Sequence, residues 1–121
     1  MNMKLNEERR DRCPPLVELF AQRYDAWIVG GAARYLLDLE ENVKDWDLLV
    51  PLYRWIDAAR VLPRGATANA FGGFKFQSHG HTLDVWGGDI GEHFSQNPYI
   101  PDYAIHLRTG TLLISGVLEG A

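Results

Sequence analysis

The chain has 121 residues, 46% of them hydrophobic and 23% charged, the composition expected of one soluble globular domain over 1–121 with its core in 15–115. Twelve Lys and Arg against 16 Asp and Glu leave a net charge of −4, and no stretch gathers basic residues into a nucleic-acid footprint. The one cysteine, Cys13, has no disulfide mate, and no run of eighteen apolar residues or apolar leader occurs, so a cytoplasmic setting is expected and membrane insertion is not.

Pro14-Pro15 opens a helix in which Leu16, Leu19, Phe20 and Arg23 repeat at helical spacing, ending near Tyr24. Ala26 to Val29 is a short apolar strand stopped by Gly30-Gly31. Ala33, Leu36 and Leu37 then repeat at i, i+3, i+4, so the order is strand, tight turn, helix. From Asp45 to Val50, Trp46, Leu48 and Val50 alternate with Asp45 and Asp47 as in a half-buried strand, which Pro51 closes. The spacing of Leu52, Trp55, Ile56, Ala59 and Leu62 predicts a helix ended by Pro63-Arg64-Gly65.

Phe74 to Ser78 and His81 to Trp86 flank His79-Gly80, a two-residue connection suited to a tight hairpin turn. Counting outward from the turn pairs Ser78 with His81, Gln77 with Thr82, Phe76 with Leu83, Lys75 with Asp84 and Phe74 with Val85. One face is then apolar, and the other, with Lys75, Gln77, Thr82 and Asp84, is expected to be an open polar surface. Asn97-Pro98 and Pro101 mark a loop. After it, Tyr103–Leu107 and Leu112–Ser115 form a second hairpin around Gly110, and residues 117–121 are expected to fray.

Asp45 and Asp47, two residues apart on a strand, point to one face with α-carbons about 6.5–7 Å apart. Like charges that close repel and raise each other's pKa, so a divalent cation between them is the economical reading. If Asp84 lies on a neighbouring strand of the same sheet, its carboxylate adds a third oxygen donor. The three make the hard-ligand patch that suits Mg²⁺ when substrate phosphates complete its shell. Gly30-Gly31, where a strand meets a helix, lets a phosphate approach backbone N–H groups, and Arg34 one turn on can reach phosphate, sugar or a carboxylate. The dinucleotide fingerprint G-x-G-x-x-G is not matched by Gly30-Gly31-Ala32-Ala33-Arg34-Tyr35, which excludes that reading.

In this order the segments Ile28 to Leu37, Lys44 to Val50 and Leu83 to Trp86 resemble the head domain of the DNA polymerase β-like nucleotidyltransferase superfamily. The resemblance is greatest to CCA-adding enzymes and bacterial poly(A) polymerases, and it spans roughly 26–86. Phe71-Gly72-Gly73 is similar to a turn that relatives carry before the last of these strands. The resemblance implies an α/β fold, a small mixed sheet with helices mainly on one face. It implies transfer of a nucleoside monophosphate from a nucleoside triphosphate, ATP among the donors, to a hydroxyl with release of pyrophosphate, assisted by two Mg²⁺ ions. Asp45 and Asp47 match the metal-holding pair, and Asp84 matches the carboxylate that joins them and helps activate the hydroxyl. Gly30, Gly31 and Arg34 match the triphosphate-facing turn and helix, and Lys75 opposite Asp84 is a candidate to neutralise developing charge. Tyr35 stands where the family has Asp. The 121 residues leave no room for the neck, body and tail of CCA-adding enzymes, so the acceptor stays open among an RNA 3′ end, a small hydroxyl compound and a protein side chain.

The alternative function is a catalytically silent module that binds a nucleotide or a protein partner. Zinc is not expected, because His79 falls in the turn and His81 shares the face of Leu83 and Val85, away from Asp84. Trp27, Trp46 and Trp55 are read as packing, whereas Trp86 shares the Asp84 face by alternation and is the tryptophan to test for stacking. An exposed apolar patch around the hairpin from Tyr103 to Ser115 would make a homodimer plausible.

Overall fold

The computed structural model describes residues 2–96 and 102–115. In chain order the elements are β1 (Asn2–Lys4), α1 (Glu7–Arg10), α2 (Pro15–Arg23), β2 (Trp27–Val29), α3 (Gly30–Leu36), β3 (Asp45–Pro51), α4 (Leu52–Arg60), β4 (Thr67–Ala68), β5 (Phe74–Ser78), β6 (His81–Gly88), α5 (Ile90–Ser95), β7 (Tyr103–His106) and β8 (Thr111–Ile114). Local chemistry sets most of these boundaries. Pro15 sits in the first turn of α2, and Pro51 both ends β3 and caps α4. His79 and Gly80 take φ of 53° and 79°, the double left-handed turn that matches the twist of a hairpin. That turn fixes all five β5–β6 pairs at the expected register, Ser78 with His81 through Phe74 with Val85.

The eight strands form one mixed sheet in the order β1-β8-β7-β2-β3-β6-β5-β4. Among the described strands only β3 and β6 run parallel, joined through α4 and the β4–β5 pair. Helices α2, α3 and α4 cover one face. Val17, Ala21, Ala32, Ala33, Leu36 and Ala58 pack there against Ile28, Trp46, Leu48, Val50, Leu83 and Val85. Helix α5 lies on the opposite face, where Ile90 and Phe94 pack on Val29, Leu49, Trp86 and Ala104. The architecture is therefore mixed α/β with helices mainly on one face.

Three expectations need correction. The face carrying Asp84 is not an open polar surface: Asp84 is only 7% exposed, with Asn69 on one carboxylate oxygen, Lys75 near the other, and Asp45 and Asp47 beside it. The apolar stripe that the spacing marks on α4 is split. Leu52 and Ile56 are exposed, and the helix buries Ala58 while Trp55 lies over Gly87, where a Cβ would come within 2.6 Å of the indole. The C-terminal hairpin is no exposed patch, since β7 and β8 lie between β2 and β1, and none of the exposed large hydrophobics among the described residues is on it. The basis given for a homodimer is thus absent. Finally, β1, α1, β4 and α5 carry no signal in the periodicity. Asn97, Pro98, Pro101 and residues 117–121 lie outside the described residues.

Candidate active site

Alternation on β3 sends Asp45 and Asp47 to one face, and the parallel ladder to β6 sets Asp84 directly beside Asp47. One carboxylate oxygen from each of the three lies within 4.8 Å of the others, the one such cluster of three or more metal-ligating side chains among the described residues. Burial, then Asp84 and Asp45, push the Asp47 carboxyl up to about 7. The register also delivers, among the described residues, the one Lys or Arg in contact with the three acids. Lys75, paired across the hairpin with Asp84, places Nζ 3.5 Å from Asp84 Oδ2 and 3.4 Å from Asp45 Oδ2, and the field of Asp84 and then Asp45 raises its own pKa.

Asn69 fixes the third carboxylate. Its Nδ2 donates to Asp84 Oδ1 at 2.8 Å, while its Oδ1 accepts from the backbone N–H groups of Phe71 and Gly73 at 3.0 and 2.8 Å. A side chain at Gly73 has no room, since a Cβ would sit 2.0 Å from the Val85 carbonyl oxygen. The Phe71-Gly72-Gly73 turn therefore lies flat on β6 and aims the amide of Asn69 at Asp84, whose other oxygen faces Lys75.

Gly30 takes φ +63°, a region that costs an L-residue about 1 kcal/mol or more, and a Cβ there would approach Asp47 Oδ2 to 3.0 Å. The bend thus abuts the acid cluster. Gly31, Arg34, Lys44, Asp45 and Asp47 share the walls of a cleft of about 440 Å³. Arg34 does not reach the three acids themselves. Its Nε donates to Glu40 Oε1 at 2.7 Å and its Nη1 lies 3.7 Å from Asp102 Oδ1, so two carboxylates hold it at the cleft wall. Burial opposes charge on Asp102, but His93, the Tyr103 N–H and Arg34 outweigh it and hold that carboxyl low.

The donor set fits a small hard dication. Three carboxylates, mutually repelling and partly buried, offer only oxygen, and the 4.8 Å spread needs only slight closure to meet Mg²⁺–oxygen distances of about 2.0–2.1 Å. Of the candidate residues, Asp45, Asp47, Asp84 and Lys75 come together, Gly30 abuts them, and Gly31 and Arg34 line the adjoining cleft. Sequence reasoning missed Asn69, Glu40 and Asp102. Asn69 carries a readable signal, an Asx residue ahead of a Gly-Gly turn, whereas the partners of Arg34 are tertiary.

No protein-family model matches the chain, and no curated protein matches it in sequence. Three solved structures are similar to it over 93% of its length. A Thermotoga maritima CCA-adding enzyme complexed with tRNA has 21% identity and a TM-score of 0.69. A CCA-adding enzyme with CTP has 20% and 0.66, and one with ATP has 21% and 0.63. The chain accordingly has a nucleotidyltransferase-like fold, related to that of CCA-adding enzymes. It spans about a third of the length of these structures, 32%, 32% and 33%.

Proposed function

We propose that the protein is a divalent-cation-dependent nucleotidyltransferase, moving a nucleoside monophosphate from a nucleoside triphosphate to a hydroxyl and releasing pyrophosphate. The observation that carries this reading is the convergence of Asp45, Asp47 and Asp84 beside the bare Gly30 bend. The CTP and ATP bound by two of the similar structures support a triphosphate as donor. Asp45, Asp47 and Asp84 would hold Mg²⁺, up to two ions, which when bound would polarise the α-phosphate and stabilise the entering and leaving oxygens.

The chain's own residues supply position and charge. Gly30 and Gly31 present bare backbone to the phosphates, and Arg34 and Lys44 line the cleft that receives them. Asn69 occupies one oxygen of Asp84, leaving the other to accept the proton of the attacking hydroxyl. As the acceptor's hydroxyl oxygen bonds to the α-phosphorus, the bond to pyrophosphate breaks, and Lys75 lies beside the carboxylates where charge builds. A second reading, nucleotide binding without turnover, is favoured by one observation: Arg34 is already engaged by Glu40 and Asp102. Incubation with Mg²⁺ and each α-labelled triphosphate, with RNA and small hydroxyl compounds as acceptors, separates the two. Labelled product with pyrophosphate release supports transfer. Triphosphate binding with no product under any pairing supports the silent module.

A further inference from the structure

The three acids lie between two clefts of opposite character. Beyond Asp47 and Asp84 along the same faces of β3 and β6 come Leu49 and Trp86, which open a second cleft of about 370 Å³ toward α5. Its wall is aromatic. The Phe71 ring, 55% exposed, stacks on the nearly buried Trp86 ring at 4.6 Å and 25°, presenting a flat face to solvent. Asn69 ties this wall to the acids, since it bonds both Asp84 and the Phe71 N–H. Gly88, next on the face of Asp84 and Trp86, leaves the floor bare, and Glu92, His93 and Gln96 bring hydrogen-bonding groups to the rim. Among the described residues Asp89 and Glu92 line this cleft without a Lys or Arg, whereas in the other Arg34 and Lys44 stand among Glu40, Asp45 and Asp47.

An in-line displacement needs its nucleophile on the side of phosphorus opposite the leaving group. With phosphates in the Arg34 cleft, the nucleophile enters from the aromatic one. An exposed ring face binds another flat ring, and Asp89 and Glu92, with no Lys or Arg beside them among the described lining residues, repel phosphate. We infer that the Phe71–Trp86 cleft is the acceptor site, and that it takes a small hydroxyl compound bearing a flat ring and no phosphate, rather than a polyanionic RNA end. This rests on the transferase reading for its purpose, but not for its test.

The test is binding of adenosine, adenosine 5′-monophosphate and a six-nucleotide oligo(A) to the full chain, with Mg²⁺ and α,β-methylene-ATP saturating the donor side, followed by tryptophan fluorescence. Adenosine should bind more tightly than the monophosphate, and oligo(A) no more tightly than adenosine. Phe71→Ala should weaken adenosine about five- to hundredfold, the range of one stacked base, and Phe71→Trp should restore it. Phe71 is exposed, so neither change threatens the fold. Glu92→Lys should reverse the preference between adenosine and its monophosphate. Oligo(A) binding tenfold more tightly than adenosine, or adenosine binding that ignores Phe71→Ala, overturns the inference. Ring binding without pyrophosphate release when ATP replaces the analogue would leave the cleft standing and count against the transferase alone.

Discussion

Two carboxylates at neighbouring strands, Asp25 and Asp47, stand in opposite surroundings. Asp25, just before β2, accepts hydrogen bonds at 2.5 Å from the Tyr53 hydroxyl of α4 and from Arg108 of the β7–β8 turn, and His106 Nε2 lies 3.8 Å away. Tyr53 first, and then Arg108, hold its carboxyl below the ordinary range. Asp47 faces two more carboxylates, whose contact with Lys75 does not extend to it, and its carboxyl is pushed up to about 7. One acid is surrounded by donors from three parts of the chain and locks them together. The other is set where charge opposes folding, an arrangement that persists at sites kept for binding or chemistry rather than for stability.

The largest expected break in this contrast is Asp47→Asn. Nucleotide transfer should fall about a hundredfold or more, by pyrophosphate release, while the metal-free melting temperature rises because one of three repelling charges is gone. Asp25→Ala should do the reverse. Loss of two charge-assisted hydrogen bonds should cost about 2 kcal/mol in denaturant unfolding and leave transfer per folded molecule unchanged.

The pH dependence sharpens the same contrast. An Asp47 carboxyl near 7 when folded and 3.8 when unfolded holds a proton that unfolding releases, so metal-free stability should decline as pH climbs from about 4 through 7. Mg²⁺ should flatten that slope. Asp25 contributes with the other sign: its stabilisation is full above the ordinary carboxylate range and is lost on acidification below it. Melting curves from pH 2 to 8, with and without Mg²⁺, read both, and Asp47→Asn should remove the decline between about pH 4 and 7 while Asp25→Ala leaves it. The smallest effect is expected of Gly30→Ala, about 1 kcal/mol from the left-handed backbone, with a larger fractional loss of transfer because the new methyl presses on Asp47.

The site was legible in the sequence to the extent that strand geometry builds it. Alternation puts Asp45 and Asp47 on one face, and the His79-Gly80 turn fixes Lys75 opposite Asp84, rules that need no tertiary knowledge. The parallel β3–β6 register, which brings Asp84 beside Asp47, is non-local and was reached only through family resemblance. Burial of Asp84 is not legible because the groups around it, Asn69 from the loop before β5 and Asp45 and Asp47 from β3, reach it only through tertiary contacts. On α4 the pattern marked Leu52 and Ile56, but the tight fit of Trp55 over Gly87 decided which side packs inward. Arg34 was read toward phosphate, and only the folded chain shows Glu40 and Asp102 already holding it.

The most direct measurement is a Mn²⁺ titration of the full chain followed by electron paramagnetic resonance, with and without ATP, in wild type and Asp47→Asn. The account predicts a bound ion in wild type, affinity strengthened by ATP, and loss of that site in the variant. Equal Mn²⁺ binding by the two proteins would contradict it.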